Sequence, residues 1–209
     1  MKKVIFILLI TPFISFGQTS KEDSVWLPFQ SFIGKWTGDS EGQPGKGKYQ
    51  RNYEFALNHK FIEVRNKSTY PPSKDNPKGE VHEDHGFISY DRLRKTFVLR
   101  QFHIEGFVNQ FKIESISPDG KIIVFISESI ENIPAGWRAK ETYQIQSKDK
   151  FVETFELAEP GKNFEVYSRA VFLSLPVILF WGTGFFILIA ILKDKNLGKY
   201  EKICGSLKT

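Results

Sequence analysis

The sequence predicts an all-β protein, a ten-stranded antiparallel barrel, from three observations. Between residues 18 and 171 no segment keeps the i, i+3, i+4, i+7 spacing of apolar residues that an amphipathic helix requires. Short runs of aromatic and β-branched residues alternate instead with clusters of Gly, Pro, Asn and Asp. These runs follow one another through short turns, and this meander order favours a closed up-and-down barrel over a two-sheet sandwich.

Ten runs are long enough to be strands, and turn residues separate them, as in SPDG at 117–120 and EPGK at 159–162. The predicted strands are 35–41, 48–57, 61–70, 86–90, 96–103, 107–115, 122–129, 138–146, 151–157 and 163–171. Only the connection 71–85 is long. Residues 18–31 form a lead-in to a barrel assigned to residues 32–171. The apolar stretch 25–32 is expected to form a short helix or turn that plugs one mouth of the barrel.

The net charge of +5 belongs to the two ends of the chain. Lys2 and Lys3 precede a short apolar run, and the small residue Gly17 offers a cleavage point, so residues 1–17 are predicted to be a signal peptide. Residues 193–209 carry five lysines against two acids, which leaves residues 18–192 neutral as a set. A neutral body argues against a basic groove, and no nucleic-acid partner is expected.

A second apolar segment predicts a membrane span. Residues 172–192 form 21 consecutive positions without a charge, and as a helix they would cover about 31 Å, the thickness of the hydrocarbon core. The basic tail 193–209 follows at once, and the positive-inside rule places it in the cytoplasm. Together with the signal peptide, this predicts an exported, periplasmic barrel that is anchored in the inner membrane.

The strand 107–115 and the turn before it predict which side chains enter the barrel. Alternation places Phe107 and Asn109 on one face, which is predicted to point inward. Alternation leaves the preceding strand ambiguous. A three-residue turn at 104–106 resolves it, because such a turn places Gly106 at the left-handed position that these hairpins need.

This turn pairs His103 with Phe107 and Gln101 with Asn109, so all four side chains face inward. We therefore take His103, Gln101 and Asn109 as the candidate cofactor- or ligand-binding residues, since an inward imidazole can bind iron or a small ligand. The alternative is a core histidine whose hydrogen bonds are satisfied by a neighbouring polar side chain.

Other motifs carry less information. The segment 82–85 (HEDH) has the residue types of metal ligands but lacks a third ligand at a defined spacing, so a polar loop end is expected there. No carboxylate pair has a spacing typical of glycosidases, and no Gly-x-Ser-x-Gly motif occurs. The glycine-rich segment 42–47 leads into a strand rather than a helix, unlike a phosphate-binding loop. The single cysteine, Cys204, cannot form an internal disulfide. No catalytic residue and no metal site is predicted.

The first strand begins Gly34-x-Trp36-x-Gly38. A Gly-x-Trp at this place is typical of lipocalin-like barrels, in which the indole packs at the barrel floor. With the segments HEDHGF at 82–87 and RQFHIEGFVN at 100–109, residues 32–171 resemble the nitrobindin family, also called the THAP-type haem-binding or fatty-acid-binding-protein-like β-barrels. The resemblance is greatest to exported bacterial members. It implies a ten-stranded, calycin-like antiparallel barrel, with Trp36 at its floor.

The better-known nitrobindins bind haem b through a histidine close to the C-terminal strand, and they handle nitric oxide or isomerise peroxynitrite to nitrate. The resemblance therefore implies haem b as a cofactor. This chain departs from the family because no histidine follows His103, so the proximal haem ligand is absent. If haem binds, His103 or Tyr167 would have to ligate the iron.

Three functional hypotheses follow. The first is a non-enzymatic, exported and membrane-tethered barrel that binds a small apolar or haem-like ligand in an uncharged, Phe-lined interior. The second is a haem-dependent peroxynitrite isomerase of the nitrobindin type. The third is a barrel filled by its own side chains, with a structural or interaction role.

Overall fold

The computed structural model describes residues 23–74 and 76–175 and confirms an all-β barrel of ten antiparallel strands. A 3₁₀ helix, Asp23–Phe32, precedes the first strand. The strands are β1 (Gly34–Gly42), β2 (Gly47–Ala56), β3 (Phe61–Tyr70), β4 (Glu80–Asp91), β5 (Thr96–His103), β6 (Val108–Ile116), β7 (Ile122–Glu131), β8 (Arg138–Ser147), β9 (Lys150–Ala158) and β10 (Glu165–Ser174).

The barrel closes because β1 pairs with both β2 and β10, and each other strand pairs with its neighbours in sequence. The predicted up-and-down order is therefore confirmed. Closure leaves no unpaired sheet edge, so the backbone hydrogen bonds of all ten strands are used within the barrel.

Two strand ends differ from the prediction by more than two residues. β4 begins at Glu80 rather than at residue 86, so the segment 82–85 lies in a strand and the expected loop end is wrong. The sequence does not show this part of the strand, because both of its faces are polar at residues 82–85. β10 continues to Ser174, three residues beyond the predicted end, and Phe172 is fully buried in the barrel. The first three residues of the predicted membrane span, 172–174, therefore lie in the barrel.

The 3₁₀ helix plugs one mouth of the barrel, as predicted for residues 25–32. Trp26, Phe29 and Phe32 are buried, and Phe29 packs edge-on against Phe97 at a ring-centroid distance of 4.8 Å. The indole of Trp26 donates a hydrogen bond to the carbonyl oxygen of His59, in the β2–β3 turn (3.0 Å). We call this the plugged end.

Trp36 lies in the core beside this plug. Its indole Nε1 donates to the carbonyl oxygen of Phe32 (2.7 Å), and its ring packs against Phe151 at 4.8 Å. Two residues later Gly38 faces Phe172, and a Cβ on Gly38 would lie only 3.0 Å from that ring. The Gly-x-Trp-x-Gly motif thus packs the start of β1 against the aromatic core, which is a structural role.

The barrel interior is not uncharged, in contrast to the expectation from sequence. Aromatic side chains fill its plugged half, but Arg51, Asp84, Glu141 and Glu153 are also buried inside. One cation faces three acids here, and burial raises the pKa of Asp84 and of Glu141.

The predicted signal peptide (1–17), most of the predicted span (172–192) and the basic tail (193–209) lie outside the described residues. Within residues 23–74 and 76–175, no helix has the length and apolar character needed to cross a bilayer.

Candidate functional site

The candidate site lies at the mouth opposite the plugged end, where the β5–β6 turn meets the start of β4. Gly106 has a φ of +88° and its N–H donates to the carbonyl oxygen of His103 (2.8 Å). The N–H of His103 donates to the carbonyl oxygen of Phe107 (3.1 Å), and Gln101 pairs with Asn109 across the two strands. The predicted three-residue turn is confirmed, and we call this end the open mouth.

The turn brings His103, Gln101 and Asn109 together on the inner face. Asn109 Nδ2 donates to His103 Nε2 (3.1 Å), and the imidazole stacks on the ring of Phe107 at a centroid distance of 4.0 Å. Burial, aided by the nearby His82, lowers the pKa of His103 to about 4. His103 is therefore a neutral imidazole at physiological pH. Trp36, the fourth predicted residue, lies beside the plug and is not part of this group.

β4 contributes two side chains that the sequence analysis did not assign. Its register with β5 places Asp84 opposite His103, and alternation turns His82 inward as well. His103 Nδ1 lies 3.3 Å from His82 Nε2, and His82 Nδ1 lies 2.6 Å from a carboxylate oxygen of Glu105. The sequence signal was indirect: extending the alternation of the predicted strand 86–90 backward by two and four positions from residue 86 places Asp84 and His82 on the same face.

The other half of the HEDH segment points outward. Glu83 accepts a hydrogen bond from Lys67 (2.7 Å), and His85 bonds to Glu63 on the neighbouring strand β3. Only two of the four residues therefore belong to the mouth.

A chain of polar contacts leads from the mouth into the middle of the barrel. Asn66 Nδ2 donates to Asp84 Oδ2 (2.8 Å), and Arg51 Nε donates to Asn66 Oδ1 (3.0 Å). Arg51 also forms a two-pronged ion pair with Glu153, across the barrel on β9. Burial raises the pKa of Asp84, although the positive charge of Arg51 opposes that change.

Polar atoms in this half of the barrel lack hydrogen-bond partners. Five buried atoms on five strands make no such bond, namely Ser40 Oγ, Ser68 Oγ, Asp84 Oδ1, Gln101 Oε1 and Asn109 Oδ1. A buried polar group without a partner costs about 1–3 kcal/mol, so native proteins usually satisfy such groups with protein, water or ligand atoms. These five atoms line one wall of the barrel, from β1 through β3 to β6, which we call the polar wall.

The facing wall of the mouth carries three apolar side chains beside the buried Glu141. Ile130 on β7 pairs with Asn109, Leu157 on β9 pairs with Ala139, and Phe155 on β9 pairs with Glu141. Directly opposed residues share a face of the sheet, so these three side chains point inward too. All three pack against the buried core and stay partly exposed. We call this the apolar wall.

A groove of about 850 Å³ also crosses the outside of β1 to β5, and it shares Asp84 and His103 with the mouth. Most of its lining side chains are exposed and point outward, among them Lys35, Gln50, Arg65 and Lys67. Because most of its lining is exposed, this groove is mainly a surface feature.

Haem fits these residues poorly. A porphyrin plane at either ring nitrogen of His103 would collide with a neighbour, because His82 Nε2 lies 3.3 Å from Nδ1 and Asn109 Nδ2 lies 3.1 Å from Nε2. The inner face beside His103 carries the polar wall, whereas a porphyrin face needs an apolar slot. Tyr167, on β10, is the other residue considered for the iron, and it packs edge-on against Phe155. β10 contains no histidine.

Comparisons with known proteins support the fold alone. No protein-family model matches the chain, and no curated protein matches it. The crystal structure of Rv2717c from M. tuberculosis matches with a TM-score of 0.56 at 14% identity, covering 73% of this chain and 98% of that one. A de novo designed fluorescence-activating β-barrel matches with a TM-score of 0.37 at 16% identity, covering 70% of this chain and 95% of that one. The chain is thus similar in fold to a natural single-barrel protein.

Proposed function

We propose that the protein is a binding barrel for a small amphipathic molecule that enters through the open mouth and donates hydrogen bonds. The observation that carries this proposal is the set of five buried, unpartnered polar atoms on the polar wall. Three of them, on Asp84, Gln101 and Asn109, are carbonyl or carboxylate oxygens that can only accept in their present state. A ligand with N–H or O–H groups would satisfy them.

The apolar wall would receive the rest of the molecule. Ile130, Phe155 and Leu157 stay partly exposed inside the mouth, and covering them would gain about 25 cal/mol for each Å² of apolar surface buried. The combination of an apolar surface with a few placed polar groups is typical of small-molecule sites. We therefore expect a ligand with one polar end rather than a purely apolar ligand.

Native mass spectrometry of the full chain tests the proposal, with dansylamide as a fluorescent probe that joins an apolar ring system to an N–H donor. We expect a co-purifying small molecule or saturable dansylamide binding. Asn109→Leu should weaken binding about tenfold or more, because one hydrogen bond contributes about 0.5–1.5 kcal/mol and the lost amide leaves other groups unmatched.

Gln110→Leu is the matched control, since Gln110 neighbours Asn109 on β6 but points outward to Arg100 and Glu128. It should bind like the wild type. The absence of any bound mass and of dansylamide binding would contradict the proposal and favour a barrel filled by its own side chains. Equal binding by both variants would show that the ligand does not bind at the open mouth.

A nitrobindin-type haem function is the competing hypothesis, and it rests on the resemblance described above. A haem titration of the full chain separates the two. A Soret shift that His103→Ala abolishes would favour the haem function and overturn the present proposal.

We also propose that the barrel is exported and tethered to the membrane. This rests on the residue patterns of 1–17 and of the apolar run, which after the end of β10 still has 18 uncharged residues, 175–192. That length is within the range of transmembrane helices. The full chain should stay in the membrane fraction after carbonate extraction, and its release would contradict the proposal.

A further inference from the structure

We propose that His82, Asp84 and His103 form a binding site for a divalent transition-metal ion of the zinc class at the open mouth. Two imidazoles and one carboxylate are ligands that Zn²⁺ and its neighbours in the first transition row accept. Their ligand atoms all lie within 4.8 Å of one another.

The distances suit a single ion. His82 Nε2 lies 3.3 Å from His103 Nδ1 and 3.7 Å from Asp84 Oδ2. Two ligands of a tetrahedral zinc ion, each about 2.0–2.1 Å from the metal, are about 3.3–3.4 Å apart. Both distances from His82 Nε2 are close to this separation, and the third, between Asp84 and His103, is below 4.8 Å.

Asp84 adds a second observation that favours a cation at this place. It is only 8% exposed, and while Oδ2 accepts a hydrogen bond from Asn66, Oδ1 has no partner. A carboxylate buried in this way is costly unless a cation or donor meets it. Arg51 contacts Asn66 rather than Asp84, so a metal ion would supply the missing positive charge directly.

The surrounding side chains hold both histidines in suitable tautomers. Glu105 accepts from His82 Nδ1, which leaves His82 Nε2 free for a metal. Carboxylate partners of this kind orient metal-binding histidines and raise their basicity. On His103, a metal at Nδ1 requires the proton on Nε2, and a half-turn of the Asn109 side-chain amide would turn its unpartnered oxygen, Oδ1, toward that proton.

A second cluster, Glu80, His82 and Glu105, also brings three ligand atoms together. It shares His82, but both of its carboxylates are exposed and are well solvated without a metal. We therefore assign the ion to the inner set.

Three protein ligands leave a fourth position for water or for a ligand atom. This position would lie in the mouth between the polar and apolar walls. The inference thus deepens the proposed function, and it rests on that function only for the occupant of the fourth position.

Titration of the untagged full chain with Zn²⁺, followed by calorimetry, and with Co²⁺, followed by visible absorption, tests the site. We expect one ion per chain and the strong visible bands of four-coordinate cobalt. Asp84→Asn and His103→Gln should each weaken binding by about 100-fold or more, and Glu105→Gln by about 10-fold, the usual cost of losing an outer partner.

His85→Gln is the matched control, because His85 lies on the same strand but faces outward to Glu63, and it should bind as the wild type does. Thermal unfolding checks that each variant is folded. If Asp84→Asn does not fold, His82→Gln replaces it, since that side chain is 22% exposed at the rim.

Folded wild-type protein that binds neither ion, or unchanged affinity in the ligand variants, would overturn the inference. The two proposals fail separately. Metal binding without any bound organic molecule would leave the metal site and remove the binding function, and dansylamide binding without metal binding would do the reverse.

Discussion

Replacement of Arg51 by methionine is the sharpest test of how the barrel interior is stabilised. The guanidinium of Arg51 pairs with Glu153 through two nitrogens, donates to Asn66 and to the hydroxyl of Tyr53, and lies 4.5 Å above the ring of Phe172. Methionine keeps most of the side-chain length but none of the donors. The variant therefore leaves Glu153, which is 8% exposed, without its cation.

We expect Arg51→Met to lower the free energy of unfolding by about 3–5 kcal/mol, the usual cost of removing one partner of a buried ion pair. This is a large part of the roughly 5–15 kcal/mol that stabilises a typical domain. Urea denaturation of the purified chain, followed by the fluorescence of the buried Trp26 and Trp36, measures the loss.

Three comparisons identify charge as the cause. A buried carboxylate without a cation takes up a proton more readily, so the deficit of Arg51→Met should shrink as the pH falls from 8 to 4. Glu153→Gln in the same chain should recover most of the loss, because it removes the unpaired charge. Arg65→Met, in contrast, removes an arginine whose side chain is 60% exposed in its ion pairs with Glu63 and Glu54, and should cost no more than about 1 kcal/mol.

A deficit that is equal at pH 4 and pH 8, and that Glu153→Gln does not reduce, would refute this reasoning. The loss would then reflect packing of the arginine stem and its contact with Phe172. A deficit below about 1 kcal/mol would show that water reaches Glu153 easily.

Three further predictions test other parts of the barrel. Burial raises the pKa of Glu141 from its ordinary value of 4.5 to about 8. Between these pH values the folded state holds a proton that the unfolded state releases, so the free energy of unfolding should fall as the pH rises from 4.5 to 8. Glu141→Gln should reduce this pH dependence in thermal unfolding. Gly86→Ala should cost about 1–3 kcal/mol in urea denaturation, because its Cβ would lie 2.5 Å from the carbonyl oxygen of Arg100; a neutral result would show that β4 and β5 can separate there. Phe29→Ala should cost about 3–5 kcal/mol by the same assay, and a loss under 1 kcal/mol would mean that the 3₁₀ helix is not an integral plug.

Much of the barrel could be predicted because local rules govern it. A period of two with turn residues between the runs identified ten strands, and β3 and β5 match the predicted ranges. The inward position of His103 followed from one turn. A two-residue loop would require Glu105 at positive φ, whereas a three-residue loop requires it only of Gly106, which has a φ of +88°. Both rules act over a few residues, so the sequence alone suffices to apply them.

The start of β4 could not be predicted in this way. Residues 82–85 are charged or imidazole-bearing at every position, so the usual contrast between an apolar inner face and a polar outer face is absent. A polar inner face in a closed barrel has the sequence pattern of an exposed loop. The strand is recognised only when β3 and β5 are seen to pair with it on both sides.

By itself, the sequence determined the fold class, the strand order, the plug and the direction of His103. The tertiary structure alone decided what His103 meets, because the β4–β5 register brings His82 and Asp84 to it. Closure likewise joins Arg51 to Glu153, which is 102 positions away along the chain. Alternation tells which face a side chain takes, whereas the partners on that face depend on register and on barrel closure, which are long-range properties of the folded chain.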